Sequence, residues 1–303
     1  MDVGNSHVSF SARTGEGLHT VAVAWSADSR TFLLPDRSAP VDVWEYLQQT
    51  LFGIFLAEPP SKPGSDSQRC PRLSWWVASV NPPATEQWRE VLQHHRPHDH
   101  LRVIDPSEIP LPDDLQNRRQ TGVDRLLAAW YVSRHLPAIQ TAGASAPRGV
   151  IVVDAGSAVT VDWVDSAGVF RGGMIYPGFR LAANSLHRDT AALPLLTEIA
   201  TTTPPPAAGR NTAEAIEAGL FWSQWGGLCG AVESLQRFAS ANEKAPGAQV
   251  SDPLRPRVVV TGGGIRSFRS LLPPQWHWEP QLMPQAILKL AAVTSPEACG
   301  GTS

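Results

Sequence analysis

The segment TGVDRLLAAWYVSRHL, Thr121–Leu136, places Asp124 and Arg125 at the start of an expected helix over Val123–Leu136, with Gly122 at its entrance. An acidic residue in a first turn is favoured by the helix dipole and needs no catalytic reason. Arg125 is different, because a cation there is unfavourable unless an anion meets it. Together the two side chains could serve one small hydroxy acid, Asp124 accepting the hydroxyl proton while Arg125 holds the carboxylate at a fixed distance. Three glycine turns supply a second kind of chemistry: Gly4–Ser6, Gly156–Ala158 and Gly262–Gly264 each follow an apolar run. Successive backbone amides at such turns can bind phosphate without a lysine. One turn alone reads as ordinary tight geometry; three at matching positions point to a nucleotide site. Asp154 ends the run Val150–Val153, where a carboxylate is either a costly accident or a group placed for polar chemistry.

These residues need elements to position them. Asp2, Gly4, Asn5 and Ser6 stand in the order of Asp154, Gly156, Ser157 and Ala158, which suggests a duplicated unit. Short strands are expected over Met1–Phe10, Val21–Trp25 and Thr31–Leu34, then a helix over Val41–Leu56 and a Pro/Ser-rich loop over Glu58–Arg72. A strand over Leu73–Val80, a helix over Thr85–His95 and a strand over Leu101–Ile104 follow. After a small-residue linker, Gly143–Gly149, come a strand from Val150 with a hairpin return to Ile175, a helix over Phe179–Leu186 and another over Thr212–Phe238. RVVVTGGG, Arg257–Gly264, reads as a strand into a glycine turn, and Pro284–Ala292 as a closing helix. Hairpins followed by alternating helices and strands, given twice, favour two related α/β lobes with a cleft between them, divided as 1–148 and 149–303.

Composition narrows the classes. The 303 residues carry 25 Lys and Arg against 28 Asp and Glu, net -3, so no global positive field favours nucleic acid. Lys62, Lys244 and Lys289 are the only lysines and none follows a glycine-rich loop, so the lysine-bearing phosphate loop is absent. Nor does any strand lead into Gly-x-Gly-x-x-Gly as a dinucleotide fold requires. Cys70, Cys229 and Cys299 are widely spaced and read as free thiols in a reducing compartment. No apolar run approaches the roughly 20 residues that span a bilayer, and no basic, apolar leader is visible, so a cytoplasmic protein is expected.

In order along the chain stand DVGNS at Asp2, GVDR at Gly122, VVDAGSA at Val152, GGMIYPG at Gly172, NTAEA at Asn211 and TGGG at Thr261. Each is weak alone, but the ordered set resembles the type III pantothenate kinases, of the acetate and sugar kinase, Hsp70 and actin superfamily. That resemblance implies a duplicated actin-like (ribonuclease H-like) α/β ATPase fold and transfer of the ATP γ-phosphate to the 4′-hydroxyl of pantothenate, the first step of coenzyme A synthesis. It also implies Mg2+ with K+ or ammonium, and a homodimer with no nucleic-acid or membrane partner. Carried over, Asp124 is the proton acceptor and Gly122, Val123, Asp124 and Arg125 form the pantothenate segment, with Thr212 a further substrate contact. Asp2, Val3, Gly4, Asn5, Ser6, His7, Val8 and Ser9 match the first phosphate loop, Ser157 an ATP-contacting hydroxyl, Gly262 and Gly263 a nucleotide turn, and Asp154 the monovalent-cation ligand. Asp2 is expected to act through Mg2+ and water.

Four departures from the family pattern stand out. Ser9 replaces a lysine that closes the first loop in some members, and Ser157 replaces a threonine while keeping the hydroxyl. Leu115 and Arg118 replace the tyrosine and proline of Tyr-x-Asn-Pro, although Asn117 remains. Only Met1 precedes Asp2, so either the start lies upstream or the first strand is cut short. A kinase for another small hydroxy acid or a sugar, and a weakened paralogue with a binding role, are the alternative readings. The tract HHRPHDH, His94–His100, is expected to be a solvated loop rather than a zinc site; Trp75, Trp130 and Trp222 are candidates for a dimer surface, and His187–Asp189 for a cleft-lining segment.

Overall fold

The computed structural model describes residues 1–3, 7–14, 17–25, 32–33, 73–136, 149–196, 203–242 and 255–294. The helix expected over Val41–Leu56, the loop over Glu58–Arg72 and the turn residues Gly4, Asn5 and Ser6 lie outside them. Of Asp2, Val3, His7, Val8 and Ser9 the strand placement is described. The fold is α/β.

Met1–Phe10 is not the single strand its apolar character suggests. β1 (Asp2–Val3) pairs antiparallel with β2 (His7–Thr14), Asp2 opposite Ser9 and Val3 opposite Val8, so two paired strands stand where one was expected. β2 pairs with β3 (Gly17–Trp25) and β3 with β4 (Phe32–Leu33), all antiparallel. On its other side β1 runs parallel to β5 (Ser74–Ser79), and β5 parallel to β6 (His100–Val103). The six-stranded order is β4-β3-β2-β1-β5-β6.

The second sheet is built from β7 (Val150–Ala155), β8 (Ala158–Val164), β9 (Phe170–Pro177), β10 (Arg257–Thr261) and β11 (His277–Trp278). Its order is β11-β10-β7-β8-β9, with β7, β8 and β9 antiparallel and β10 and β11 parallel to β7. Each sheet therefore sets its first strand inside an antiparallel meander on one flank and parallel strands on the other. Parallel neighbours need long crossovers, and helices supply them. α1 (Pro82–His95) lies between β5 and β6, and α4 (Thr212–Asn242) between β9 and β10. α2 (Val123–His135), α3 (Phe179–Arg188) and α5 (Leu282–Thr294) complete the set.

Packing divides the chain into two compact units, interleaved along the sequence rather than cut at 148/149. One comprises Met1–Glu108, Gly122–Asp124 and Met283–Ser303; the other comprises Ile109–Thr121 and Arg125–Leu282. In the second unit one sheet face buries Ile151, Val153, Val161, Trp163, Val258 and Val260 against Leu228, Val232 and Leu235 of α4. Strand alternation puts Val152 and Asp162, paired in register, on the opposite face.

Element ends differ from expectation for local reasons. α1 begins at Pro82 rather than Thr85, because Pro82 and Pro83 occupy first-turn positions whose N–H groups have no helical partner, while Asn81 accepts from Ala84 N at 3.2 Å. Thr261–Gly264 runs on into a 3-10 helix, Gly263–Leu271, where Ile265 and Phe268 are buried at the three-residue spacing that stacks side chains on one edge. Trp130 is a core residue, 2% exposed, and so not a dimer-surface candidate.

The tract HHRPHDH is organised by Asp99, which accepts from Trp75 Nε1 at 2.8 Å, Leu73 N at 3.1 Å and Arg96 Nε at 2.8 Å. Burial opposes its ionisation, yet the hydrogen bonds from Arg96, Trp75 and Leu73 win and hold the carboxyl below the usual aspartate value. A depressed folded pKa stabilises above the unfolded value, about 4, and that contribution is lost as pH falls through the folded one. Asp99→Asn should cost about 1–3 kcal/mol at neutral pH in urea denaturation, with the gap to the wild type closing in acid. A gap independent of pH contradicts this.

Candidate active site

Gly122 and Asp124 belong to the first unit, where the Asp124 carboxylate folds back over Gly122. A Cβ on Gly122 would collide with Asp124 Oδ1 and lie 3.6 Å from Val80 Cγ1, just beyond the C-terminal end of β5. Glycine thus lets a carboxylate in the first turn of α2 turn back over the helix entrance. Gly122→Ala should displace that carboxylate without opening the core, lowering turnover by ~10-fold or more at nearly unchanged melting temperature. Wild-type turnover in this variant would show that the carboxylate's seat is not controlled by Gly122.

Arg125 has the anionic partner its position demanded. Its Nε lies 3.1 and 3.0 Å from Asp162 Oδ1 and Oδ2, and its Nη2 also donates to Asp162 Oδ1. The room for this pair comes from Gly173, whose added Cβ would meet Asp162 Oδ1 at 2.6 Å. Asp162 is the residue that motif reading missed; its signal is an acid inside the otherwise apolar strand VTVDWV.

The segment bearing Leu115 is tied to β9: Phe170 N donates to Pro112 O at 2.8 Å, and Asp113 bridges Phe170. Arg118, where the family pattern has proline, bridges the same segment, donating to Leu111 O at 2.7 Å, to Ile109 O at 2.5 Å and to Asp113. A polar staple thus does the stiffening. Leu115 lies 3.7 Å from where a Cβ of Gly172 would stand.

Asp154, near the end of β7, pairs in register with Thr160 and Thr261. Gly262 takes φ +92°, where an L side chain is strained, and a Cβ there would stand 2.5 Å from Asp154 Oδ1. The TGGG turn therefore passes close against this carboxylate and the Ala155 backbone, and a hard oxygen donor of this kind fits the monovalent cation that the family resemblance implies. Among the described residues no group of three or more His, Cys, Asp or Glu could hold a metal ion.

The turn between β7 and β8 corrects one expectation. Gly156 N donates to Ala158 O at 3.0 Å, closing the tight hairpin, so this amide is not a converging phosphate donor. Ser157 O accepts from Gly178 N at 2.9 Å, which joins the YPG turn to the same loop. Gly263 is exposed, with open space around its Cα, as nucleotide approach would need.

NTAEA is largely a helix cap. Glu214 N donates to Asn211 Oδ1 at 2.9 Å, while the Glu214 carboxylate accepts from Arg210 N at 2.7 Å and Asn211 Nδ2 at 2.8 Å. Thr212 stands exposed at the first helical position of α4.

Other titratable groups fit proton transfer poorly. Burial, then the neighbouring Cys229, pushes the Tyr176 phenol up to about 12, so it stays neutral at physiological pH. Hydrogen bonds from Arg188 and Ser185 bring the exposed Asp189 carboxyl down to about 2, and His187 Nδ1 contacts Leu193 O at 2.8 Å. That segment is occupied in ending α3. No helix among the described residues is long and apolar enough to cross a membrane.

A family model described as type III pantothenate kinase matches residues 1–235. A type III pantothenate kinase of Alkalilimnicola ehrlichii is 31% identical over 295 residues, covering 96% of each chain. One from Chlorobaculum tepidum is 36% identical over 63% of each, and one from Rhodopirellula baltica 34% identical over 63% of this chain and 61% of its own. A family match reaching from the first residue into the last third of α4, with a relative aligned over nearly its full length, establishes that the chain belongs to the type III pantothenate kinase family.

Proposed function

We propose that the protein transfers the γ-phosphoryl group of ATP to the 4′-hydroxyl of pantothenate, giving 4′-phosphopantothenate and ADP. The observation that carries this reading is the seating of two successive residues: Asp124 is folded over Gly122 and Arg125 is anchored on Asp162. The acceptor is a hydroxy acid, and these two groups match its two ends.

In this reading the pantothenate carboxylate binds Arg125, with Gly122, Val123 and Thr212 completing the acceptor contacts. The bond from the 4′-oxygen to Pγ forms as the bond from Pγ to the β–γ bridging oxygen breaks, and the hydroxyl proton passes to Asp124. Such transfer depends on an oriented alcohol and stabilised phosphate oxygens more than on a strong base. Asp2–Ser9, Ser157, Gly262 and Gly263 are assigned to ATP, with Asp2 acting through Mg2+ and water. Asp154 would hold K+ or ammonium, whose charge offsets that of the phosphates.

The duplicated actin-like architecture belongs to the same proposal, supported by the shared strand pattern of the two sheets. So do a cytoplasmic location and a homodimer; a monomeric mass at micromolar concentration in light scattering would remove the dimer. The acceptor wall favours one second reading, a different hydroxy acid, because Leu115 and Arg118 replace an aromatic and a proline. ADP release in Mg2+ and K+, measured with pantothenate and with a panel of hydroxy acids and sugars, separates the two. Release stimulated by pantothenate and lost when K+ gives way to a large organic cation supports the proposal. Stimulation only by another acceptor overturns it.

A further inference from the structure

The Arg125–Asp162 pair is lopsided. Asp162 keeps 3% of its side chain exposed and Arg125 keeps 15%, so the carboxylate lies behind and the guanidinium in front. Asp162 sits in the middle of β8, opposite Val152, on the sheet face away from α4. It takes Nε and Nη2, one edge of a rigid planar group with five donors. Two-point contact on one edge fixes the plane and thereby the direction of the remaining donors. The same guanidinium carbon stands 5.9 Å from the Phe170 ring centroid, a second restraint on that plane. Gly173 packs directly against this carboxylate, where a Cβ would stand 2.6 Å from Asp162 Oδ1.

We infer that Asp162 is a positioning residue for acceptor recognition: it holds Arg125 in the orientation that selects a carboxylate-bearing acceptor over a neutral one. This rests on the reading of Arg125 as the carboxylate anchor. A substrate carboxylate needs a guanidinium already pointed at it, since ordering a loose arginine on binding costs affinity. Removing the Asp162 charge has two opposed effects. Orientation is lost, but Arg125 gives up the charge of Asp162 and so pulls more strongly on any other anion. An asparagine turns an NH2 towards the arginine donors or leaves one of them unmet, so the plane rotates; the fork geometry, which decides a two-point contact, is what fails.

The experiment compares pantothenate with its neutral analogue, in which a primary alcohol replaces the carboxylate, for the wild type and Asp162→Asn. Wild-type activity on pantothenate tests the underlying reading separately; without it, that reading fails before the variants are considered. Given that activity, Asp162→Asn should raise the pantothenate KM by ~10-fold or more, with the ATP KM within about 2-fold and a much smaller change for the neutral analogue. Equal losses on both acceptors would mean a merely structural role, and an unchanged or lower pantothenate KM would mean that orientation does not matter; either overturns the inference. If Asp162→Asn does not fold, Arg125→Lys carries the same comparison, since it keeps a cation beside Asp162 and removes the two-point fork. A selective loss on pantothenate is again expected, and an equal loss on both acceptors again overturns it.

Discussion

Asp124→Asn is expected to lower turnover by ~10²-fold or more while leaving ATP binding intact. Asparagine keeps the shape that fits over Gly122, so a folding defect should not confuse the result. What goes is the proton acceptor that the proposal assigns to this position. Because phosphoryl transfer passes through a loose transition state, the hydroxyl proton leaves late, and the size of the effect measures how far Asp124 acts as base rather than as a hydrogen-bond acceptor orienting the alcohol. Steady-state kinetics with a nucleotide-binding measurement make the test. A loss of only a few-fold assigns Asp124 to positioning, and full activity removes it from the site.

Arg125→Ala should lose acceptor affinity and stability together. Alanine takes the Arg125 charge away from Asp162, a carboxylate 3% exposed within a strand, and breaking a buried ion pair by removing one partner costs about 3–5 kcal/mol. The double variant Arg125→Ala/Asp162→Ala removes both charges and should recover part of that loss, as coupled neighbours do in a mutant cycle. Urea denaturation of the two single variants and the double variant reads the coupling. Additive losses would mean that the ion pair contributes nothing beyond its separate side chains. Asp162→Asn is the milder change, because the arginine it leaves behind reaches solvent.

Much of this architecture can be read from local pattern. The two Asp-x-Gly turns mark the first strands of two sheets with the same strand arrangement, and apolar runs locate β5, β7 and β10 to within a residue or two. Where local reading fails, the reason is a partner distant in sequence or a residue with two uses. Arg125 asks for an anion and Asp162 asks for a cation, but 37 residues separate them and the tertiary fold brings them together. The four histidines of HHRPHDH draw attention to metal, yet the organising residue is Asp99 between them, through Arg96, Trp75 and the Leu73 amide. The helix expected from Thr85 starts three residues earlier, at Pro82, with Pro83 also in its first turn. The glycine of VVDAGSA looks like a phosphate donor, but its amide is spent on closing a hairpin.

The same contrast explains which motif residues carry chemistry. In NTAEA the asparagine and glutamate satisfy the first turn of α4, leaving Thr212 exposed. In GGMIYPG the second glycine makes room for Asp162. Both motifs are structural devices around the side chains to which the proposal assigns binding.

Whether a pantothenate hydroxyl receives the phosphoryl group is read from phosphorus and proton NMR of the reaction product. Protein incubated with ATP, Mg2+, K+ and pantothenate should yield one new phosphomonoester, its phosphorus coupled to the protons of the terminal CH2 that bore the 4′-hydroxyl, and Asp124→Asn should form it far more slowly. Inorganic phosphate as the sole new phosphorus species, or a phosphomonoester that forms equally fast in Asp124→Asn, would contradict the account.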